Sequence, residues 1–393
     1  MQLERLSIIN YRNIESAELE LSPGISCMVG PNGAGKTNIL DTIYYLSFCK
    51  SLTGLPDSLN IRHNEPFFVI QGTYNLSAAP QSDGNAAANE ETAPTPQARD
   101  EIYCGVKRGQ KKQFKRNKKE YQRLTDHIGL LPLVLMSPAD EDLINESAEA
   151  RRRYADSVIS QSDHPYMEAL MAYNRLITQR NTLLKHMADQ PNADLTLLEV
   201  FDQQLAHYGT RISQRRRAFV EWLRPVVTEL YGLISGMETS GAEGVTMTYV
   251  TGLDRYDLYD GLRDSRQRDL ALGYTSRGIH KDDIDFSMGG YPLKKVGSQG
   301  QRKSFVIALK LAQYRYLTET LGTRPILLLD DVFDKLDAAR GDNLIGLVAS
   351  GNFDQIVITD TDMARLQRVL DKADKAFSIF TVQNGCPTLT AKG

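Results

Sequence analysis

No apolar run in this chain of 393 residues approaches the length of a membrane-spanning helix, and none is expected. A secretory leader is not expected either, because Met1-Gln-Leu-Glu-Arg-Leu-Ser-Ile-Ile9 alternates like a strand. The expected location is cytoplasmic. Cysteine is scarce: Cys27, Cys49, Cys104 and Cys386 have neither metal-ligand spacing nor the density of a disulfide scaffold, so buried free thiols are expected. Strong charge of one sign is missing as well. A net charge of −3 argues against indiscriminate nucleic-acid binding but leaves room for a local basic face. No internal repeat of solenoid period occurs. With 24% charged and 41% hydrophobic residues, the composition is that of a globular chain long enough for two domains.

Against this ordinary background, Gly30-Pro31-Asn32-Gly33-Ala34-Gly35-Lys36-Thr37 is a complete Walker A loop. The apolar run Ile25–Val29 before it reads as a strand, and Thr37–Phe48 after it as a helix. Three glycines let the backbone wrap a polyphosphate with its N–H groups pointing inward. Nucleotide phosphate is the expected ligand: Lys36 then reaches its β/γ oxygens, and Thr37 holds magnesium.

Strands are expected near residues 3–9, 17–21 and 25–29, then at Phe67–Leu76 and Glu101–Lys107. Ser77–Ala98 between the last two has no bulky apolar residue and reads as a disordered hairpin insertion. From Ala139 to Leu272 the pattern is mostly helical, as in Tyr166–Met187 and Leu195–Leu233, with Pro191 and Pro225 expected to interrupt any long rod. Strand-like runs return at Ile326–Leu329, Gln355–Thr359 and Phe377–Val382, so an α/β unit closes around a helical insertion.

Pro325-Ile-Leu-Leu-Leu-Asp330-Asp331 has the form of a Walker B element, in which Asp330 binds magnesium and Asp331 orients or deprotonates the attacking water. Two acids after an apolar strand are common, and the Walker A loop is what favours this reading. Upstream, Ser298-Gln-Gly300-Gln301-Arg302 opens a helix whose apolar positions include Phe305, Leu309, Ala312 and Tyr316. Its N–H groups would face an anion, and an ordinary N-cap has the same appearance.

These parts in this order resemble the ATP-binding-cassette ATPases. That resemblance implies that Ser298, Gly300 and Gln301 complete the ATP site of an opposite subunit, and that Lys335-Leu-Asp337 stands at the D-loop position. It also implies that Arg12 and Asn13 lie beside the nucleotide, as in the chromosome-maintenance branch. Thr359 occupies the switch position where many cassette enzymes carry histidine, so no histidine switch is assigned.

More closely, the chain is similar to the RecF family of bacterial recombination-mediator ATPases. The similarity runs through Leu6–Arg12, the P-loop, Gly129–Pro138, Arg151–Asp156, Gly278–Asp283, Ser298–Lys303 and Leu327–Asp337. Ile279 and Lys281 stand where that family usually has proline and arginine, and the Ser77–Ala98 insertion is unusually long. The implied fold is an α/β P-loop cassette head with a mostly helical inserted lobe, divided at residues 1–135, 136–275 and 276–393. The implied activity is slow, DNA-stimulated ATP hydrolysis with Mg2+ as a dimerisation switch. The implied partners are gapped or junction DNA, a second copy of the chain, RecR and RecO, toward loading RecA in DNA repair and replication.

The residues make a separate case for DNA. Lys107–Arg123 carries nine Lys or Arg against a single Glu120, with Asn117-Lys118 as a hairpin turn and Phe114 and Tyr121 interleaved. Lys111, Lys112, Lys115 and Arg116 are the candidate contacts, and Arg211–Arg217 adds a second cluster. A charge run is as often a solvated face. Two other readings remain, a transporter's nucleotide-binding subunit and a chromosome-tethering ATPase, although the helical segment is too broken by proline for a long coiled coil. A further possibility is a binding module that uses ATP only to hold a dimer together.

Overall fold

The computed structural model describes residues 1–76, 99–187, 195–236, 244–333, 336–350 and 353–393. The Ser77–Ala98 insertion, Pro191 and Lys335 lie outside the described residues. The chain divides into two compact units, one of residues 1–140, 234–236 and 313–393, the other of residues 141–233 and 237–312.

The first unit contains two six-stranded sheets. One is antiparallel, in the spatial order Ile14–Glu20, Gln2–Tyr11, Phe67–Asn75, Arg99–Lys107, Gln113–Arg116, Lys119–Glu120. In Gln2–Tyr11 the buried Leu3 and Leu6 are an odd number of residues apart, which would put them on opposite faces of a regular strand. A register shift between Leu3 and Arg5 absorbs the extra residue. The other sheet runs Cys386–Lys392, Phe377–Gln383, Ile25–Val29, Ile356–Asp360, Ile326–Asp330, Leu133–Met136, and only its first strand is antiparallel. Ile326–Asp330 and Ile356–Asp360 are buried at every position, as parallel strands covered on both faces must be.

The helix Lys36–Phe48 packs against strands of both sheets. Its Ile39, Leu40, Ile43, Tyr45 and Leu46 are all buried in the core that the two sheets share. Each such apolar side chain stabilises the unit by about 2 kcal/mol relative to exposure. The strand Cys386–Lys392 at the sheet's edge is almost wholly exposed, so Cys386 is an exposed thiol, whereas Cys27, Cys49 and Cys104 are buried as expected.

Asn117 and Lys118 have φ of 50° and 67°, the two left-handed residues of a tight hairpin turn joining Gln113–Arg116 to Lys119–Glu120. Behind the hairpin, His127 is wholly buried, 4.8 Å from the Phe114 ring. Its Nε2 donates to Leu46 O at 2.6 Å, because a carbonyl can only accept, and this leaves Nδ1 to accept from the Tyr121 hydroxyl at 3.0 Å. Burial lowers the pKa of this imidazole to about 4.

The second unit holds the helices Ala148–Ser162 and His164–Met187, most of Thr196–Ser235, and a three-stranded antiparallel sheet of Val245–Val250, Asp283–Met288 and Tyr291–Pro292. That sheet lies partly in a segment expected to be helical. It also explains why residues 276–312 belong to this unit instead of the first, since Asp283–Met288 pairs along its whole length with Val245–Val250. Pro225 does not interrupt Thr196–Ser235. Packing overrides its missing N–H: Arg224 Nε donates to Met247 O at 2.8 Å, Thr228 Oγ1 donates to Val245 O at 3.1 Å, and Leu223 and Val227 are buried.

Arg180, with no exposed surface, ties this unit together through ion pairs to Asp202 and Asp269, both at 2.8 Å. Arg266 pairs with the other Asp202 oxygen at 2.8 Å, which balances two cations against two carboxylates. Arg180→Ala would leave the buried Asp269 without its cation and Asp202 with Arg266 alone, and should destabilise the second unit by about 3–5 kcal/mol. In denaturant titrations, Arg263→Ala, which removes an exposed pair with Asp260, should shift stability by less than about 0.5 kcal/mol.

A second expectation concerns acid. Unfolded His127 takes up a proton near pH 6.5 but folded His127 only near 4, so its contribution is complete above about 6.5 and is lost as pH falls toward 4. Stability measured from pH 7 to 5 should fall less steeply in His127→Gln than in the natural protein.

Candidate nucleotide site

The P-loop sits at the carboxyl ends of the parallel strands, where open α/β sheets place their ligands. Gly35 has φ of 108°, and a Cβ there would lie 2.8 Å from the Asn13 side chain, so both backbone and space demand glycine. Lys36 is buried, and its Nζ donates to Gly30 O at 2.8 Å and Pro31 O at 3.1 Å. These bonds hold the ammonium inside the loop it serves.

Thr37 Oγ1 lies 3.0 Å from each oxygen of Asp330. Walker A therefore meets Walker B, although the two strands carrying them are not neighbours: Ile356–Asp360 lies between. Thr359, near the end of that middle strand, donates from Oγ1 to Asp330 Oδ1 at 2.7 Å. The same hydroxyl accepts from the Asp331 N–H at 3.1 Å. Asp331 has φ of 47°, a left-handed conformation that costs a non-glycine residue about 1–3 kcal/mol and collects at functional sites. A hydroxyl and a carboxylate are hard oxygen donors of the kind magnesium takes, so the pair Thr37 and Asp330 fits that ion.

Tyr11, Arg12 and Asn13 line the start of the P-loop helix. Asn13 Nδ2 donates to Ala34 O at 3.3 Å, and its Oδ1 accepts from Asn38 Nδ2 at 2.7 Å. Arg12 donates to Asn38 Oδ1 at 3.1 Å and pairs with the buried Asp41 at 2.8 Å. Asp41 also accepts from Tyr11 OH, Ser51 Oγ and Leu52 N. Burial beside this carboxylate pushes the Tyr11 pKa up, well away from ionisation.

The sequence reading missed Asp41, Asn38 and the turn Asn384-Gly385. That turn lies against the loop: Gly385 N donates to Ala34 O at 2.7 Å, and a Cβ at 385 would lie 2.3 Å from Asn13 O. An Asn-Gly pair between apolar runs is a hairpin signal that was open to reading.

Ser298, Gly300 and Gln301 belong to the second unit and open the helix Gln299–Leu321. Ser298 Oγ accepts from Gln301 N at 3.2 Å, while Gln301 Oε1 accepts from Ser298 N at 2.8 Å. The two make a reciprocal capping box. The helix is not amphipathic, because every residue from Lys303 to Tyr314 is buried.

The basic hairpin divides into exposed and committed cations. Lys112 does not face solvent: it pairs with Asp57 at 2.9 Å and donates to Cys49 O at 2.6 Å, at the end of the P-loop helix. The half-buried Asp57 carboxylate and a helix-terminal carbonyl take up its charge, which removes it from the candidate DNA contacts. Arg116 is held by Asp100 at 2.5 Å, Lys115 lies 5.5 Å from the Tyr103 ring centre, and Lys111, Lys118 and Lys119 are exposed.

Comparison with known proteins agrees with this geometry. The family model described as RecF/RecN/SMC N terminal domain matches residues 2–388. The chain is 46% identical over 386 residues to a DNA replication and repair protein RecF of Phocaeicola vulgatus, covering 98% of this chain and 97% of that one. It is 47% identical over 385 residues to RecF of Bacteroides fragilis (strain ATCC 25285), at 98% and 97% coverage. A solved structure of the recombination mediator RecF with ATP superimposes with a TM-score of 0.84 at 28% identity, over 99% of this chain and 97% of that one. An Smc head domain from Pyrococcus furiosus, at 15% identity and a TM-score of 0.55, shares the fold. These relatives disfavour the transporter and tethering readings, and among the described residues no helix is long and apolar enough to cross a membrane. Over essentially its whole length, this chain belongs to the RecF family of DNA replication and repair proteins, with the fold of an ATP-binding-cassette ATPase head.

Proposed function

We propose that the first unit binds ATP with Mg2+ and hydrolyses it slowly, that ATP joins two copies of the chain, and that the dimer engages gapped or junction DNA. The observation that carries this reading is the contact of Thr37 with both oxygens of Asp330, which unites a phosphate loop and an acidic strand end in one place. The backbone N–H groups from Gly30 to Lys36 take the phosphate oxygens, and Lys36 turns its charge from its own loop to the β/γ oxygens. Thr37 and Asp330 would hold Mg2+, which neutralises charge on the phosphates. Asp331 orients the attacking water and takes its proton. Arg12 and Asn13 stand beside the loop and fix its entry.

In a dimer, Ser298, Gly300 and Gln301 of one copy close the site of the other. DNA runs along the exposed cations of the hairpin by its backbone, without reading sequence. A complex with RecR and RecO, toward loading RecA, completes the reading, which family membership supports.

Lys36→Ala should lose most ATP affinity with its melting temperature nearly unchanged, as read by a fluorescent ATP analogue. Asp331→Asn is a clean probe of the base, because asparagine tolerates the same left-handed backbone. Nucleotide binding should persist while turnover falls by about 10²–10⁴ and the ATP dimer lives longer; normal turnover would place the base elsewhere. Ser298→Asp keeps a helix-capping oxygen but sets a negative charge toward the γ-phosphate. It should bind ATP as a monomer yet neither dimerise nor turn over. Mixing it with Lys36→Ala should restore part of the hydrolysis, since one of the two sites in the mixed dimer carries neither defect.

For DNA, replacing Lys111, Lys118 and Lys119 together should lower duplex affinity and reduce the slope of log K against log salt by about 2–3. An unchanged slope would return the hairpin to the status of a solvated face.

A further inference from the structure

We infer that Thr359 is a positioning residue for the Walker B acids, setting the carboxylate of Asp330 and the backbone of Asp331 through one hydroxyl. The inference rests on the ATP-site reading above and assigns work to a position that carries no charge and stands where a switch histidine was not found. Thr359 has no exposed surface. It lies directly opposite Asp330 on one side and Met28 of the P-loop strand on the other, so it is the middle member of the three-strand row that carries the site.

The hydroxyl has one proton, and that proton goes to Asp330 Oδ1 at 2.7 Å. A lone pair then remains for the Asp331 N–H at 3.1 Å, with the Thr359 carbonyl a longer second acceptor at 3.3 Å. The first bond fixes the rotation of Asp330 so that both its oxygens stay level with Thr37 Oγ1. The second helps to hold Asp331 in its left-handed turn at the end of the strand. Neighbouring Asp360 is committed elsewhere, to Arg365 at 3.2 Å and Asp362 N at 2.9 Å, and does not share this work.

Valine keeps the β-branched shape of threonine and lacks the hydroxyl, whereas serine keeps the hydroxyl and lacks a methyl group. Thr359→Val, Thr359→Ala and Thr359→Ser are therefore compared with the natural protein for binding of a fluorescent ATP analogue with and without Mg2+, and for turnover. Without Mg2+ all four should bind within about two-fold of one another, which also reports that the site is folded. With Mg2+ the natural protein and Thr359→Ser should gain affinity alike, while Thr359→Val and Thr359→Ala should lose about ten-fold of that gain and about ten-fold in kcat, the scale of one hydrogen bond to a charged group. A valine variant with the natural Mg2+ response and turnover overturns the proposal. So does a serine variant as impaired as valine, because packing and not the hydroxyl would then be responsible. Absence of nucleotide binding by the natural protein in both conditions would refute the ATP site itself, a distinct failure.

Discussion

The contact between Thr37 and Asp330 bridges residues 293 apart in the chain, and the first unit is organised around making it possible. A hydroxyl at the start of a helix and a carboxylate at the end of a strand meet only if their strands end at the same level. The parallel register provides this, with Asp330 opposite Thr359 and Thr359 opposite Met28. Because one strand separates the two Walker elements, Asp330 must face across it. The residue on that strand is more than a spacer, since its hydroxyl is one of the two that donate to the buried Asp330 carboxylate.

Rigidity on the other side of the loop comes from the helix Lys36–Phe48, held between two sheets with apolar contacts on most of its circumference. Besides the His127 bond to Leu46 O, two attachments that involve charged groups interrupt that apolar surround. Asp41 is satisfied by Tyr11, Arg12, Ser51 and the Leu52 N–H, and the far end of the helix is satisfied by Lys112. Both attachments come from the antiparallel sheet or the segment after the helix, so that sheet is as much a part of the nucleotide site as the strands that carry the motifs. Lys112 shows how strongly this matters, because a cation in the middle of a basic run is drawn inward to Asp57 and Tyr45 instead of to solvent.

That commitment marks where sequence stopped being informative. The P-loop, its strand and helix, the Walker B run, the Asn117-Lys118 turn and the parallel strands were readable because each has a local cause: glycine placement, an unbroken apolar run, or paired left-handed residues. Strand adjacency was not, since nothing in Ile326–Asp330 says that Ile356–Asp360 will come between it and Ile25–Val29. For the same reason Thr359 read as a missing histidine, and Asp41 was passed over. Pro225 misled in the opposite direction: a local rule for breaking helices was outweighed by bonds to Met247 and Val245 that no window of sequence contains.

The loop Ser298–Gln301 shows how a helix cap and the proposed contact with a partner's nucleotide can share residues. Ser298 and Gln301 satisfy each other's backbone N–H groups, two of the donors that any helix start leaves open. A helix capped in this way is stable without ligand, so the loop is preformed and needs no nucleotide to order it. A phosphate approaching the same N–H groups must displace the Ser298 hydroxyl and the Gln301 carbonyl oxygen, exchanging two neutral acceptors for a charged one. Charge-assisted bonds are roughly twice as strong as neutral ones, so the exchange favours the anion without being steep. On the proposed reading, a loop built on these terms closes on the partner's ATP and releases it after hydrolysis, as the proposed reversible dimer requires.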